Sequence, residues 1–123
     1  MNYKKFILGL LFIILIDNIY LQLNKKLYKP IIDPSEKINL PAATLSWVVI
    51  VAGIQLLVLS RDDLNTNNIF MYGAFLGFSM YALYNMTNFA LYPSKWNIPI
   101  TLVDILWGTI LTGTTALVMY NYF

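Results

Sequence analysis

The chain has 123 residues, of which 59% are hydrophobic and 11% are charged, and its net charge is +2. These charges are too few to cover a soluble domain of this length, so the composition indicates a single membrane domain over residues 1–123. The sequence has no His, no Cys and no block of basic residues, which excludes imidazole and thiolate chemistry, and we expect no metal, no cofactor and no nucleic-acid partner.

Four apolar stretches are each long enough to cross a bilayer, which takes about 20 residues in a helix. They cover approximately residues 6–23, 42–59, 69–91 and 98–120. Because they are continuous and much longer than a barrel strand, they predict helices. We therefore expect an all-α integral membrane fold, a bundle of four transmembrane helices with both termini on the same side.

The first stretch has a competing interpretation. Lys4 and Lys5 precede an eleven-residue apolar core, as in a signal peptide. However, no small-x-small cleavage site follows, and the apolar pattern continues after Asp17 and Asn18. We expect this helix to be retained.

The connections between the stretches are short apart from residues 24–41, which contain four lysines and three prolines. Apolar side chains between these lysines indicate a surface-lying segment: Leu27, Tyr28, Ile31 and Ile32. Trp96, in the connection 92–97, is placed like an interfacial anchor. These two loops carry five lysines against three basic residues on the other side, which favours a cytoplasmic location for loops 24–41 and 92–97.

Four polar residues inside the stretches fall near one side of the membrane. At about 1.5 Å per residue, Asp17, Asn85 and Asp104 lie roughly 9–10 Å from that side, and Asn88 lies one turn closer to it. A carboxylate at membrane depth usually faces the interior of a bundle and marks a functional site. We predict that these four residues form an intramembrane polar pocket that binds a ligand or a proton.

Helical spacing places these residues on the same faces as other small or polar side chains. Five residues are expected to support the pocket: Tyr20, Tyr81, Tyr84, Thr101 and Trp107. Three glycines are expected to allow close helix packing: Gly73, Gly77 and Gly108. Buried amides and hydroxyls often serve only as hydrogen-bond links between helices, so for Asn85 and Asn88 that interpretation stays equally open.

Several segments resemble the predicted membrane proteins of the domain-of-unknown-function 2177 family. The resemblance is carried by residues 81–91 (YALYNMTNFAL), Trp96 and residues 101–112 (TLVDILWGTILT), with matches at Asp17 and Tyr28 and at the Pro41-Ala42 pair. It covers essentially the whole chain and implies a small four-span membrane protein without an established biochemical role.

The chain departs from that family at two positions. The family commonly has Y-D-x-T-N where residues 84–88 read YNMTN, and it often has Trp where this chain has Tyr20. The amide of Asn85 replaces a carboxylate, which weakens any mechanism that needs three acids and is typical of a divergent or viral member.

Three functions remain open from the sequence. The pocket could bind or handle a lipid-like or small polar ligand, with Asp17 and Asp104 as a cation-binding or acid–base pair. The protein could instead be a structural or assembly component of a cellular or virion membrane. Transport of a proton or small solute is the third. Four helices are few for a pore and the other half of every span is apolar, although a homo-oligomer through the face of Gly73 and Gly77 could change that. No motif diagnostic of an enzyme is present, so enzyme activity stays undecided.

Overall fold

The computed structural model describes residues 2–123, and these residues are helical with no strand. The elements, in chain order, are α1 (Tyr3–Leu23), α2 (Lys25–Tyr28), a 3₁₀ turn (Lys29–Ile31), α3 (Leu40–Gly53), a π-helical turn (Ile54–Val58) that continues α3, α4 (Thr66–Leu91) and α5 (Ile98–Asn121). The predicted all-α class is confirmed. The short α2 lies in the loop where the sequence indicated a surface-lying segment.

An asparagine begins each of the four long helices. The side chains of Asn2, Asn39, Asn65 and Asn97 accept backbone N–H groups in the first turns of α1, α3, α4 and α5, respectively. Asparagine is among the best residues at this position because its side-chain oxygen satisfies N–H groups that have no partner within the helix. These caps explain why the helices begin where the polar connections end.

Three helices are long and apolar enough to cross a membrane: α1, α3 with its π-helical turn (Leu40–Val58), and α5. The third predicted span, residues 69–91, falls within α4, which has 26 residues and is not among these three helices. That helix is less apolar than the other three because its sequence includes Asn, Ser, Thr and Tyr side chains. Apolar side chains cover much of the outer surface of the bundle, as expected for helices that face lipid: Leu11, Leu15, Phe75, Leu83, Leu102 and Leu106 are all exposed.

Helices α4 and α5 are antiparallel and pack closely through glycines. A Cβ atom added at Gly73 would lie 2.7 Å from the Ala116 Cβ, and one added at Gly77 would lie 2.6 Å from the Thr112 hydroxyl oxygen. A Cβ at Gly108 would overlap the ring of Tyr81. The two backbones therefore approach at distances that only glycine permits at these positions.

Helix α3 contacts the rest of the bundle mainly in two places, along α1 and at its own C-terminal end. It packs against α1, and its π-helical turn packs against α4 and α5. At the same end, Gly53 faces the side chain of Leu76 in α4. The N-terminal half of α3 stands away from α4, which leaves space between these two helices on the side of loop 24–41.

The other end of the bundle is closed by charged and polar contacts. The Lys5 ammonium donates to the carbonyl of Met119 at 2.6 Å, near the C-terminus of α5, where a cation is favoured by the helix dipole. In the α3–α4 loop, Asp63 accepts from Arg61 and from the Tyr72 hydroxyl. These hydrogen bonds lower the pKa of Asp63 to about 2, so its carboxylate is ionised at neutral pH.

Alanine substitutions at two glycines should separate close packing from helix propensity. Gly77→Ala should lower the free energy of unfolding by about 1–3 kcal/mol, because its Cβ would overlap α5. Gly53→Ala is the matched control, since its Cβ would meet only a flexible Leu76 methyl at 3.3 Å and alanine improves helix propensity. Denaturant titration in micelles, followed by circular dichroism, measures both; equal losses would contradict the packing described for α4 and α5.

Candidate functional site

Asp104 lies near the start of α5 and is only 9% exposed. Its Oδ1 accepts a hydrogen bond from the Tyr28 hydroxyl at 2.7 Å, and its Oδ2 accepts one from the Asn85 amide at 2.7 Å. Asn85 is fully buried, and its own oxygen accepts from the Trp96 indole at 2.9 Å. Both carboxylate oxygens thus contact protein donors, and because such donors suit a carboxylate we expect Asp104 to be ionised.

Asp17, in α1, is held in a similar way by two indoles. Its Oδ2 accepts from Trp47 of α3 and its Oδ1 accepts from Trp107 of α5, each at 2.9 Å. The sequence has three tryptophans. Trp47 and Trp107 donate to Asp17, and Trp96 donates to Asn85, which in turn donates to Asp104. A buried indole N–H needs an acceptor, so each bond satisfies the tryptophan as well as the carboxylate or amide.

Tyr20 connects the two aspartates. Its ring stacks on Trp107 with centroids 4.1 Å apart, and its hydroxyl oxygen lies 2.7 Å from that of Tyr28. The path from Asp17 to Asp104 therefore runs through aromatic side chains. We call the whole set the aspartate network: Asp17, Tyr20, Tyr28, Trp47, Asn85, Trp96, Asp104 and Trp107.

Tyr28 brings the loop after α1 into the network. It belongs to α2 and is 6% exposed, whereas the neighbouring lysines 25, 26 and 29 are exposed. Burial and the hydrogen bonds to Tyr20 and Asp104 raise the pKa of Tyr28, so its hydroxyl stays protonated and donates. The segment predicted to lie on the surface is thus anchored by one inward-facing tyrosine.

A cavity of about 570 Å³ lies between α3 and α4 and reaches Asp104. We call it the α3–α4 cavity. Its aliphatic walls come from several elements: Leu21, Ile31, Ile32, Val49, Ile50 and Met80. Its aromatic lining is Tyr28, Trp47, Tyr81, Tyr84 and Trp96. The volume is within the range of small-molecule sites, and Asp104 is the one charged side chain among the lining residues.

The structure brings together only some of the residues proposed from sequence. Asp17, Asn85 and Asp104 belong to the network, as do Tyr20 and Trp107, while Tyr81 and Tyr84 line the cavity. The Asn88 amide donates to the Tyr84 carbonyl of its own helix at 2.9 Å. The Thr101 hydroxyl likewise donates to the Asn97 carbonyl at 2.9 Å. These two side chains lie outside the network.

Sequence reasoning missed the contributions of Trp47 and Tyr28. Trp47 lies in the most uniformly apolar stretch, where an aromatic residue is normally interpreted as a packing residue. Tyr28 lies among lysines and looked like part of a surface segment. A chemical argument could have found Trp47: a partly buried indole N–H needs a hydrogen-bond acceptor, and few acceptors other than the carboxylates lie at its depth in the membrane. Within residues 2–123, no three acidic side chains are grouped so that they could hold a metal ion.

Tyr28→Phe should report the strength of the bond to Asp104, because it removes the hydroxyl and keeps the ring. We expect the free energy of unfolding to fall by about 1.5–3 kcal/mol, the usual range for a hydrogen bond to a charged group. The control is Tyr122→Phe, since Tyr122 is 79% exposed and should change nothing. A denaturant titration that gave the same stability for both variants would show that the Tyr28 bond does not hold the loop.

Comparison with known proteins identifies the family. The model of a family described as predicted membrane proteins, DUF2177, matches residues 2–121. No curated protein and no solved structure matches the chain. Because the family match extends over nearly every residue, including both aspartates of the network, the chain belongs to the DUF2177 family of predicted membrane proteins.

Proposed function

We propose that this membrane protein binds a lipid-like ligand in the α3–α4 cavity. The observation that supports this proposal is the composition of the cavity: its walls are mostly aliphatic and aromatic side chains, and one buried carboxylate, Asp104, lies beside them. Apolar walls with a few placed polar groups are typical of ligand sites. A molecule with an apolar chain and a polar head group would match both the apolar walls and the carboxylate.

Access to the cavity from the bilayer supports a lipid-like ligand over a water-soluble one. Val49 on α3 is 59% exposed and Tyr84 on α4 is 55% exposed, although both line the cavity. These residues belong to helix faces that would meet lipid. A ligand already dissolved in the membrane would therefore enter sideways between α3 and α4 without passing through water.

The proposal includes a four-span topology with both termini on one side. Helix α4 has 26 residues, about 39 Å at 1.5 Å per residue, and carries no charged side chain. Its buried Asn85 is fully hydrogen-bonded and its glycines pack against α5. The contact of Lys5 with Met119 supports termini at the same end. The lysine excess on loops 24–41 and 92–97 supports a cytoplasmic location for them.

Single introduced cysteines test this topology, because the chain has none of its own. Ser35→Cys and Ser94→Cys should react with a membrane-impermeant maleimide from one side, and Asp62→Cys only from the other. The three positions lie in the loops between helices. If Asp62→Cys and Ser94→Cys were labelled from the same side, α4 would not cross the membrane and the topology would be wrong.

A structural or assembly role is the second candidate, favoured by the extent of the aspartate network. The two oxygens of Asp17 and of Asp104 all accept bonds from protein groups, and the donors come from α2, α3, α4 and α5. Such a network would fix helix packing in a virion or cellular membrane. Transport has less support, because the core beyond the network is filled by apolar side chains: Ile13, Ile54, Val58, Ile69, Leu111 and Met119.

Filling the cavity separates ligand binding from a purely structural role. Val49→Trp should occupy the space between α3 and α4, whereas Leu45→Trp places the same side chain on an exposed position of α3 that does not line the cavity. In native mass spectrometry from mild detergent, the wild type and Leu45→Trp should retain a lipid that Val49→Trp loses. Failure of the wild type to retain any molecule would contradict ligand binding and favour the structural role.

A further inference from the structure

Among the residues that the structure describes, no Lys or Arg side chain forms an ion pair with the Asp104 carboxylate. The four long helices contain no Lys or Arg between residues 6 and 23, 40 and 58, 66 and 91, or 98 and 121. Within the described chain, the ion pair formed is Arg61–Asp63, in the loop at the opposite end of the bundle. Tyr28 and Asn85, which donate hydrogen bonds to Asp104, are neutral, so they stabilise a carboxylate there but do not neutralise its charge. A buried charge of this kind favours a bound counter-charge.

The surroundings of Asp104 are those that attract an organic cation. Five aromatic side chains line the α3–α4 cavity together with it. Tyr84 and Trp96 meet at 86° with ring centroids 5.5 Å apart, which forms an aromatic corner. Aromatic faces attract cations through their quadrupole, and several of them around one carboxylate are characteristic of sites for quaternary ammonium groups.

We propose that the ligand of the α3–α4 cavity is an amphiphile whose head group carries an ammonium cation, a proposal that rests on the function proposed above. A quaternary ammonium fits best, because both Asp104 oxygens already accept hydrogen bonds and the missing element is positive charge rather than a donor. The lining contains no lysine or arginine, and the Asp104 carboxylate would repel a head group with a net negative charge, so such a head group is disfavoured relative to a zwitterionic or cationic one. The cation can belong to a choline phospholipid or to a single-chain alkylammonium.

Two phospholipids that differ only in the head group test this directly. The wild-type protein in mild detergent is mixed with didecanoyl phosphatidylcholine, with didecanoyl phosphatidylglycerol, or with dodecyltrimethylammonium, and bound molecules are counted by native mass spectrometry. We expect the wild type to bind the choline lipid about tenfold more tightly than the glycerol lipid, equivalent to about 1.4 kcal/mol. Asp104→Asn should remove that preference.

A second pair of variants keeps the test valid if Asp104→Asn does not fold. Tyr84 is 55% exposed and is not part of the aspartate network, so its replacement should leave the fold intact. Tyr84→Leu removes an aromatic face from the cavity and should weaken binding of the choline lipid, whereas Tyr84→Phe keeps the face and should bind like the wild type.

The outcomes distinguish the two proposals. Equal binding of the choline and glycerol lipids, or preference for the glycerol lipid, would overturn the ammonium proposal while lipid binding in the cavity stands. Binding of dodecyltrimethylammonium without the choline lipid would support the cation and assign it to a single-chain amphiphile. If none of the three molecules bound, both proposals would fail.

Discussion

A carboxylate inside a membrane domain needs hydrogen-bond donors around it, because burying a charge without them costs a large amount of free energy. Asp104 imposes this constraint on the present fold. Its donors are Tyr28, from a loop otherwise rich in exposed lysines, and Asn85, from the neighbouring helix. Asn85 in turn fixes Trp96 in the α4–α5 loop. One buried side chain thus contacts loop 24–41 through Tyr28 and the α4–α5 loop through Asn85 and Trp96.

The cavity follows from how α3 is attached to the rest. The bond from Trp47 to Asp17 ties its N-terminal half to α1, and the π-helical turn after Gly53 ties its other end to α4 and α5. Between these attachments α3 does not close against α4. The attachment of α3 at two separate places therefore explains both the bond of Trp47 to the aspartate network and the space that forms the cavity.

Residue periodicity was enough to predict the helices and the meeting of Asn85 with Asp104, because depth and facing direction follow from helix geometry. It failed for Asn88: residues three apart differ by about 60° around the helix axis, and its amide turns to the carbonyl of Tyr84. It also failed for Tyr28 and Trp47, whose partners lie 76 and 30 residues away. Such contacts depend on how loops and helices are arranged in three dimensions, which local spacing does not encode. Tyr81, Tyr84 and Asn85, which belong to the site, are among the polar residues that make α4 a weaker membrane span by composition.

The central claim, that Asp104 is an ionised carboxylate inside the bundle, is tested most directly by infrared spectroscopy of the protein in lipid at neutral pH. The difference between the spectra of the wild type and Asp104→Asn isolates this side chain. We predict that the difference contains the stretching bands of a carboxylate. The C=O band of a protonated carboxylic acid in its place would contradict the account, since the bonds from Tyr28 and Asn85 would then surround a neutral group.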